Sequence, residues 1–207
     1  MAARRMTREE RKSQTRDALV AAAREVFARR GFHGASLEEI TLEAGCTTGA
    51  VYSSFRGKDD LFLAVLDEHI DRRMAIYVDE ALDAEDIEAA GRRWLKAEVE
   101  LGRQEPQWNP LLVEFWAHAA RREDLREAVL VRHRRQLDAM TALMDAVAER
   151  HGGRLRLPTR DVVRAIGALG RGLGLERLVE DGHDLGDLYE EFVMAATLAL
   201  FEPRSAP

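Results

Sequence analysis

The sequence predicts an all-α protein of about nine helices, and three observations carry that expectation. Apolar residues recur at three- and four-residue spacing along most of the 207 positions. Long β-branched runs are absent, so nothing reads as a strand. Capping residues, glycines and prolines stand where the apolar stripes begin and end. Hydrophobic residues at 46% and charged residues at 33% give the chain enough apolar surface for a packed core, which excludes a disordered class.

The first helix is expected over 7–30. Thr7 and Glu10 have capping-box spacing, Leu19, Ala22, Ala23, Val26 and Phe27 form one stripe, and Gly31 ends it. Ser36 and Glu39 repeat the capping spacing ahead of a short helix whose inner face holds Leu37, Ile40 and Ala44 and which Gly45 stops. Thr47, Thr48 and Gly49 then begin a third helix containing Val51, Tyr52 and Phe55. Gly57 and Lys58 restart the chain, with Asp59 and Asp60 placed favourably at a helix N-terminus. The fourth helix, about 58–78, carries Leu61, Phe62, Val65, Leu66, His69 and Ile70 on one face. Further helices are expected near 85–103, 109–120, 123–151, 159–181 and 184–202. Pro106, Pro110, Pro158 and the Gly152–Gly153 pair mark the breaks, and the tail 203–207 is expected to be disordered.

A single cysteine, Cys46, allows no intramolecular disulfide and fits a reducing compartment. The N-terminus shows no signal-peptide pattern, and the uncharged apolar stretch Phe192 to Phe201 is too short for a bilayer. A cytoplasmic protein with no membrane partner is expected. The net charge of −6 hides an asymmetry: residues 1–58 hold eleven Lys/Arg against seven Asp/Glu, while the remainder is strongly acidic. A basic module joined to an acidic one fits this pattern.

Two short helices about the turn Ala44–Gly45–Cys46–Thr47 have the form of a helix-turn-helix. A helix entering a major groove about 12 Å wide needs an exposed face of small, hydrogen-bonding residues. Thr47, Thr48, Gly49, Ala50, Ser53 and Ser54 supply one. Tyr52 and Lys58 could reach phosphates, and Ser36 stands at a helix N-terminus suited to the same contact. Arg4, Arg5, Arg8, Arg11, Lys12 and Arg16 precede them as a basic arm.

Over residues 18–63 the chain resembles the DNA-binding domain of TetR-family regulators. The resemblance lies in Phe27, Gly31–Phe32, Ser36–Leu37, Ile40, Ala44–Gly45, Gly49, Val51–Tyr52, Phe55, Lys58 and Leu61–Phe62, held at their spacing over more than forty residues. It implies a homodimer on a pseudo-palindromic double-stranded DNA operator, with recognition helices about 34–36 Å apart. Residues 1–58 would be the DNA-binding domain and 59–207 an effector-binding and dimerisation domain, and repression relieved by a small molecule would be the default role. Thr48 stands where the family often has lysine, and Ala50 where it often has a hydroxyl residue, so the operator cannot be borrowed from relatives.

In the second half, Val162, Ile166, Leu169 and Leu173 form one stripe. Leu188, Phe192, Ala195 and Ala199 form another, with Tyr189, Val193, Ala196 and Leu200 beside it. The last helix is apolar over more of its circumference than a lone surface helix needs, which suits a two-fold interface, although such stripes also fill monomer cores. Trp94, Trp108, Phe115 and Trp116 cluster in the sequence, and Met140 and Met144 share a helix face. With His118 and Arg171 as polar groups they are the candidates for lining a pocket that takes an apolar or aromatic effector. The histidines show no metal-ligand spacing, and no nucleophile elbow, phosphate loop or dinucleotide fingerprint occurs. Neither enzyme chemistry, metal nor cofactor is expected.

Overall fold

In a computed structural model of the protein, residues 7–82, 84–179 and 185–203 are described. Arg4 and Arg5 of the arm, His183, position 184 at the expected start of the last helix and 204–207 of the tail lie outside them. Helix α1, Arg8–Gly34, begins with the expected capping box: the Glu10 amide donates to Thr7 Oγ1 at 3.1 Å, and the Thr7 amide donates to the Glu10 carboxylate at 2.7 Å. Gly31, at φ 70° and ψ 174°, breaks the helix, and the chain makes a last partial turn before Ala35. That backbone conformation is nearly confined to glycine. Helix α2, Leu37–Glu43, is capped by Ser36 Oγ, which accepts the Glu39 amide at 3.1 Å, while the Glu39 carboxylate pairs with Arg30 at 3.2 Å. Gly45, at φ 63°, lets the Gly45 and Cys46 amides fold back on the carbonyls of Leu42 and Thr41.

Helix α3 is Thr48–Ser54, and α4 is Lys58–Leu82. The remaining elements are α5 (Ile87–Gln104), α6 (Trp108–Ala119), α7 (Glu123–Arg150), β1 (Gly153–Leu155), α8 (Thr159–Glu176), α9 (Gly186–Leu200) and β2 (Phe201–Pro203). Among the described residues the strand pair is the one departure from an all-helical reading. β1 and β2 run antiparallel with Gly153 opposite Pro203 and Leu155 opposite Phe201. A Cβ on Gly153 would lie 2.2 Å from the Phe201 ring, so the pairing needs glycine there, and three residues are too few to show a period of two. Among the described residues no helix is long and apolar enough to cross a membrane.

The chain forms two compact units, Met1–His69 with Leu111–Val129, and Ile70–Pro110 with Leu130–Pro207. In the first, α1, α2 and α3 pack on one another around Leu19, Val26, Ile40 and Val51, all fully buried. Leu111, Phe115 and Ala119 are spaced by four, so one face of α6 is apolar and joins this core. Phe115 stacks within 4.1 Å of Phe62 and 4.9 Å of Phe32, and Phe27 completes the cluster at 5.1 Å from Phe62. Edge and tilted packing of this kind adds to the stabilisation that burial alone provides.

Among the described residues of the second unit, two apolar clusters stand out. Tyr77, Ala81, Ala84, Ala90, Leu143 and Val147 form one. Leu95 and Val99 of α5 with Tyr189, Val193 and Met194 of α9 form the other, against which Ile166, Leu169 and Leu173 of α8 pack. The apolar stripes of α8 and α9 therefore fill part of the core, and Gly170 admits the Tyr189 ring at 3.2 Å from where a Cβ would stand.

Candidate functional site

The exposed face of α3 is built by burying the opposite one. Val51 is fully buried and Phe55 nearly so, which anchors the helix and turns Thr47, Thr48, Gly49, Tyr52 and Ser53 outward. Tyr52 is 63% exposed, a large ring with no core role. Thr47 occupies the N-cap position without a side-chain capping bond. Ser53 Oγ donates to the Ala50 carbonyl at 2.8 Å, and Ala50 is half-buried. A Cβ on Gly49 would find Thr47 Oγ1 at 3.8 Å and nothing nearer, so this glycine keeps the helix surface low without being required by packing.

The residues expected to support that face divide. Ser36 caps α2, as described. Lys58 lies behind it: its ammonium donates to the carbonyls of Phe32 at 2.9 Å, Ala35 at 3.0 Å and His33 at 3.4 Å, and sits 4.7 Å from the Phe32 ring centroid. It thereby satisfies carbonyls at the broken end of α1. Arg8, Arg11 and Arg16 lie on α1 itself, and Arg16 stacks over Phe55 at 4.7 Å. A residue not singled out in the sequence, Glu114, accepts the Phe32 amide at 3.0 Å and the His33 amide at 2.8 Å, capping the turn that Gly31 opens. Asp59 accepts from His118 at 3.2 Å and pairs with Arg122.

In the second unit Trp94, Met140 and Met144 line an apolar cavity of about 60 Å³, joined by Met194 and Thr197 of α9. The structure thus brings together three of the eight residues expected at a pocket. Trp108 is half-buried in the same unit and not part of this lining. Phe115, Trp116 and His118 belong to the first unit, where Phe115 is fully buried in the aromatic cluster and His118 packs 5.0 Å from Phe32. Arg171 is half-buried on α8, where burial lowers its proton affinity. Met194 and Thr197 went unrecognised because the pairing of α5 with α9 has no local signal.

Beside the cavity, Trp94 meets Tyr77 edge to face at 6.0 Å. Arg73 Nε donates to the Tyr77 oxygen at 2.8 Å, and Arg73 and the Tyr77 hydroxyl both donate to Glu98. Burial opposes the Arg73 charge, but Glu98 and Tyr77 outweigh it and hold the guanidinium charged. Burial, then Glu98, raises the Tyr77 phenol well above its ordinary value, so it stays a donor. The Trp94 indole N–H, also buried, has no hydrogen-bond partner among the described residues.

Residues 19–65 match the family model described as bacterial regulatory proteins, tetR family. The chain is 43% identical over 67 residues to the HTH-type transcriptional activator FasR of Mycolicibacterium smegmatis, a match covering 32% of this chain and 29% of that protein. It is 32% identical over 121 residues to the HTH-type transcriptional repressor Rv1474c of Mycobacterium tuberculosis, covering 56% of this chain and 63% of that one. The match therefore spans less than two thirds of either relative. In fold, the chain superposes on a TetR-family transcriptional regulator from Mesorhizobium loti with a TM-score of 0.75 at 19% identity, over 95% of this chain and 99% of that one. Similarity to the tetR family of bacterial regulatory proteins is therefore carried by residues 19–65, within an all-helical fold that the chain shares with such regulators.

Proposed function

We propose that the protein is a cytoplasmic one-component repressor that binds a palindromic DNA operator as a homodimer and is released by a small molecule. The observation that carries the reading is the α3 face, with Tyr52 and three hydroxyl residues exposed on a helix whose other side is locked into the core. Thr47, Thr48, Gly49, Ala50 and Ser53 would meet base edges, with Tyr52 and Ser36 on phosphates and Lys58 holding the end of α1. Functionally the chain would divide into 1–58 for DNA and 59–207 for effector and dimer.

The second half supports this in two ways. Leu188, Phe192, Ala195 and Ala199 of α9 are all exposed, while Tyr189 and Val193 on the opposite side are buried, so the outer stripe suits a second copy of the chain. The cavity supports an effector. A ligand releases DNA only as far as it prefers the DNA-incompetent dimer, typically by about 1–3 kcal/mol of coupling. FasR is named an activator and Rv1474c a repressor, so the sign of regulation has to be measured.

The test is a fluorescence-anisotropy titration of the duplex upstream of the protein's own gene, with random-sequence competitor at two salt concentrations, followed by transcription in vitro from that promoter. Binding that survives competitor, falls with salt and lowers transcript supports the reading. Raised transcript replaces repression by activation. Binding no tighter than to random DNA, there and in a genome-wide selection, overturns it.

A further inference from the structure

We infer that the cavity of the second unit takes a neutral, chiefly aliphatic molecule carrying one hydrogen-bond acceptor, which the Trp94 indole N–H receives. The inference rests on the proposed effector-responsive function and names the class of effector.

The lining comes from α4, α5, α7, β1 and α9, and among the described residues none in it carries a charge. A carboxylate or ammonium buried there would lose its water and gain no counter-ion, which disfavours charged ligands strongly. Beyond hydrocarbon and thioether, the lining side chains offer the Trp94 N–H and the Thr197 hydroxyl. The Trp94 donor is buried without an acceptor among the described residues, an arrangement that destabilises the protein and that one ligand oxygen would correct. The shape argument points the same way. The space is about 60 Å³, too small for a rigid fused-ring ligand as it stands, but Met140, Met144 and Met194 border it. Unbranched thioether side chains rotate readily, so the space extends by rotamer changes into a slot that follows a flexible chain. Met194 Cε lies 3.0 Å from where a Cβ on Gly91 would stand, so its terminal methyl packs closely into the space beside that glycine.

The experiment is calorimetric titration of the full chain, without DNA, using methyl octanoate, sodium octanoate at pH 8 and octylamine hydrochloride. The ester is expected to bind saturably, one per chain, with the carboxylate and the ammonium each at least about tenfold weaker. Trp94→Phe should weaken the ester about three- to tenfold, the loss of one neutral hydrogen bond, with unchanged circular dichroism. Gly91→Leu, which fills the space beside Met194, should remove ester binding and tests the site independently should Trp94→Phe fold poorly. Octanoate or octylamine binding as tightly as the ester, ester affinity unchanged in Trp94→Phe, ester affinity unchanged in Gly91→Leu, or no saturable ester binding would each overturn the inference. An operator-binding chain that ignores the ester fails here alone, whereas a chain that takes the ester and binds no operator fails the proposed function.

Discussion

The Lys58 ammonium donates to the Phe32 carbonyl at 2.9 Å and lies 4.7 Å from the centroid of the same residue's ring. With the Ala35 and His33 carbonyls it closes the end of α1, so its charge is engaged inside the first unit. Lys58→Met keeps the stem and removes the donors. Leaving part-buried carbonyls unpaired should lower unfolding stability by about 1–3 kcal/mol in urea, read by circular dichroism. If Lys58 instead met a phosphate, the variant would keep its stability and the salt slope of DNA binding would fall by about one.

Glu114 and Gly31 form the second half of the same device. A Cβ on Gly31 would stand 2.8 Å from a Glu114 carboxylate oxygen that is already accepting the Phe32 amide. Gly31→Ala therefore combines a disfavoured φ with displacement of an amide acceptor and should cost about 2–4 kcal/mol. Glu114→Gln turns one acceptor into a donor facing an N–H and should cost about 1–2 kcal/mol. Equal stability of Gly31→Ala and wild type by thermal unfolding would show that the turn tolerates another conformation.

Locally encoded features were the readable ones. Thr7 with Glu10, Ser36, Gly45 and the buried spacing of Leu19, Ala23, Val26 and Phe27 each act within one or two turns, and each has its expected role in the structure. The aromatic cluster between Trp94 and Trp116 behaved differently. Closeness in sequence suggested one pocket, but the four-residue spacing of Leu111, Phe115 and Ala119 sends that face of α6 into the first unit's core. What completes the cavity around Trp94 is Met194 and Thr197, which reach it through packing of α5 on α9. Such long-range pairing depends on which stripes fit one another, and nothing in either stripe alone reports it. Gly153 reads in sequence as a loop glycine, whereas in the structure it makes room for the Phe201 ring.

His133 should titrate below the ordinary histidine value. Burial lowers its proton affinity most, and Arg171, Arg164 and Arg160 of α8 lower it further. A group whose folded proton affinity is depressed adds stability above its unfolded value, about 6.5, and that stability is lost as pH falls through the folded value. NMR titration of the His133 ring should therefore give a midpoint below 6.5. His133→Gln should flatten the acid limb of the stability curve below pH 6.5, and a midpoint at or above 6.5 would contradict the assignment.

Tyr52 and Thr48, both exposed on α3, should separate in kind of effect. On the proposed reading Tyr52→Phe would remove a phosphate donor and should weaken operator and random duplexes by similar factors, about three- to tenfold. On the same reading Thr48→Ala would remove a base-edge group and should redistribute preference among operator variants at one position by about 1 kcal/mol. Competition binding against a library of single-base operator variants reads both. A uniform effect of Thr48→Ala, or a position-specific one for Tyr52→Phe, would mean that α3 lies in the groove in another rotation.

Phe192 is 61% exposed and Leu188 53% exposed, one turn apart on α9. A soluble monomer gains nothing from two large apolar side chains presented together, whereas a two-fold partner would cover both copies of the stripe at once. Phe192→Asp places a charge where that partner packs and leaves the buried Tyr189 and Val193 side untouched. Sedimentation equilibrium should show a dimer for the wild type and a monomer for Phe192→Asp, with helical content unchanged. Operator affinity should fall by about two orders of magnitude or more, since a monomer reads only one half-site. A Phe192→Asp protein that remains dimeric would move the interface off this face of α9, to other exposed apolar positions such as Leu130 and Val131 on α7.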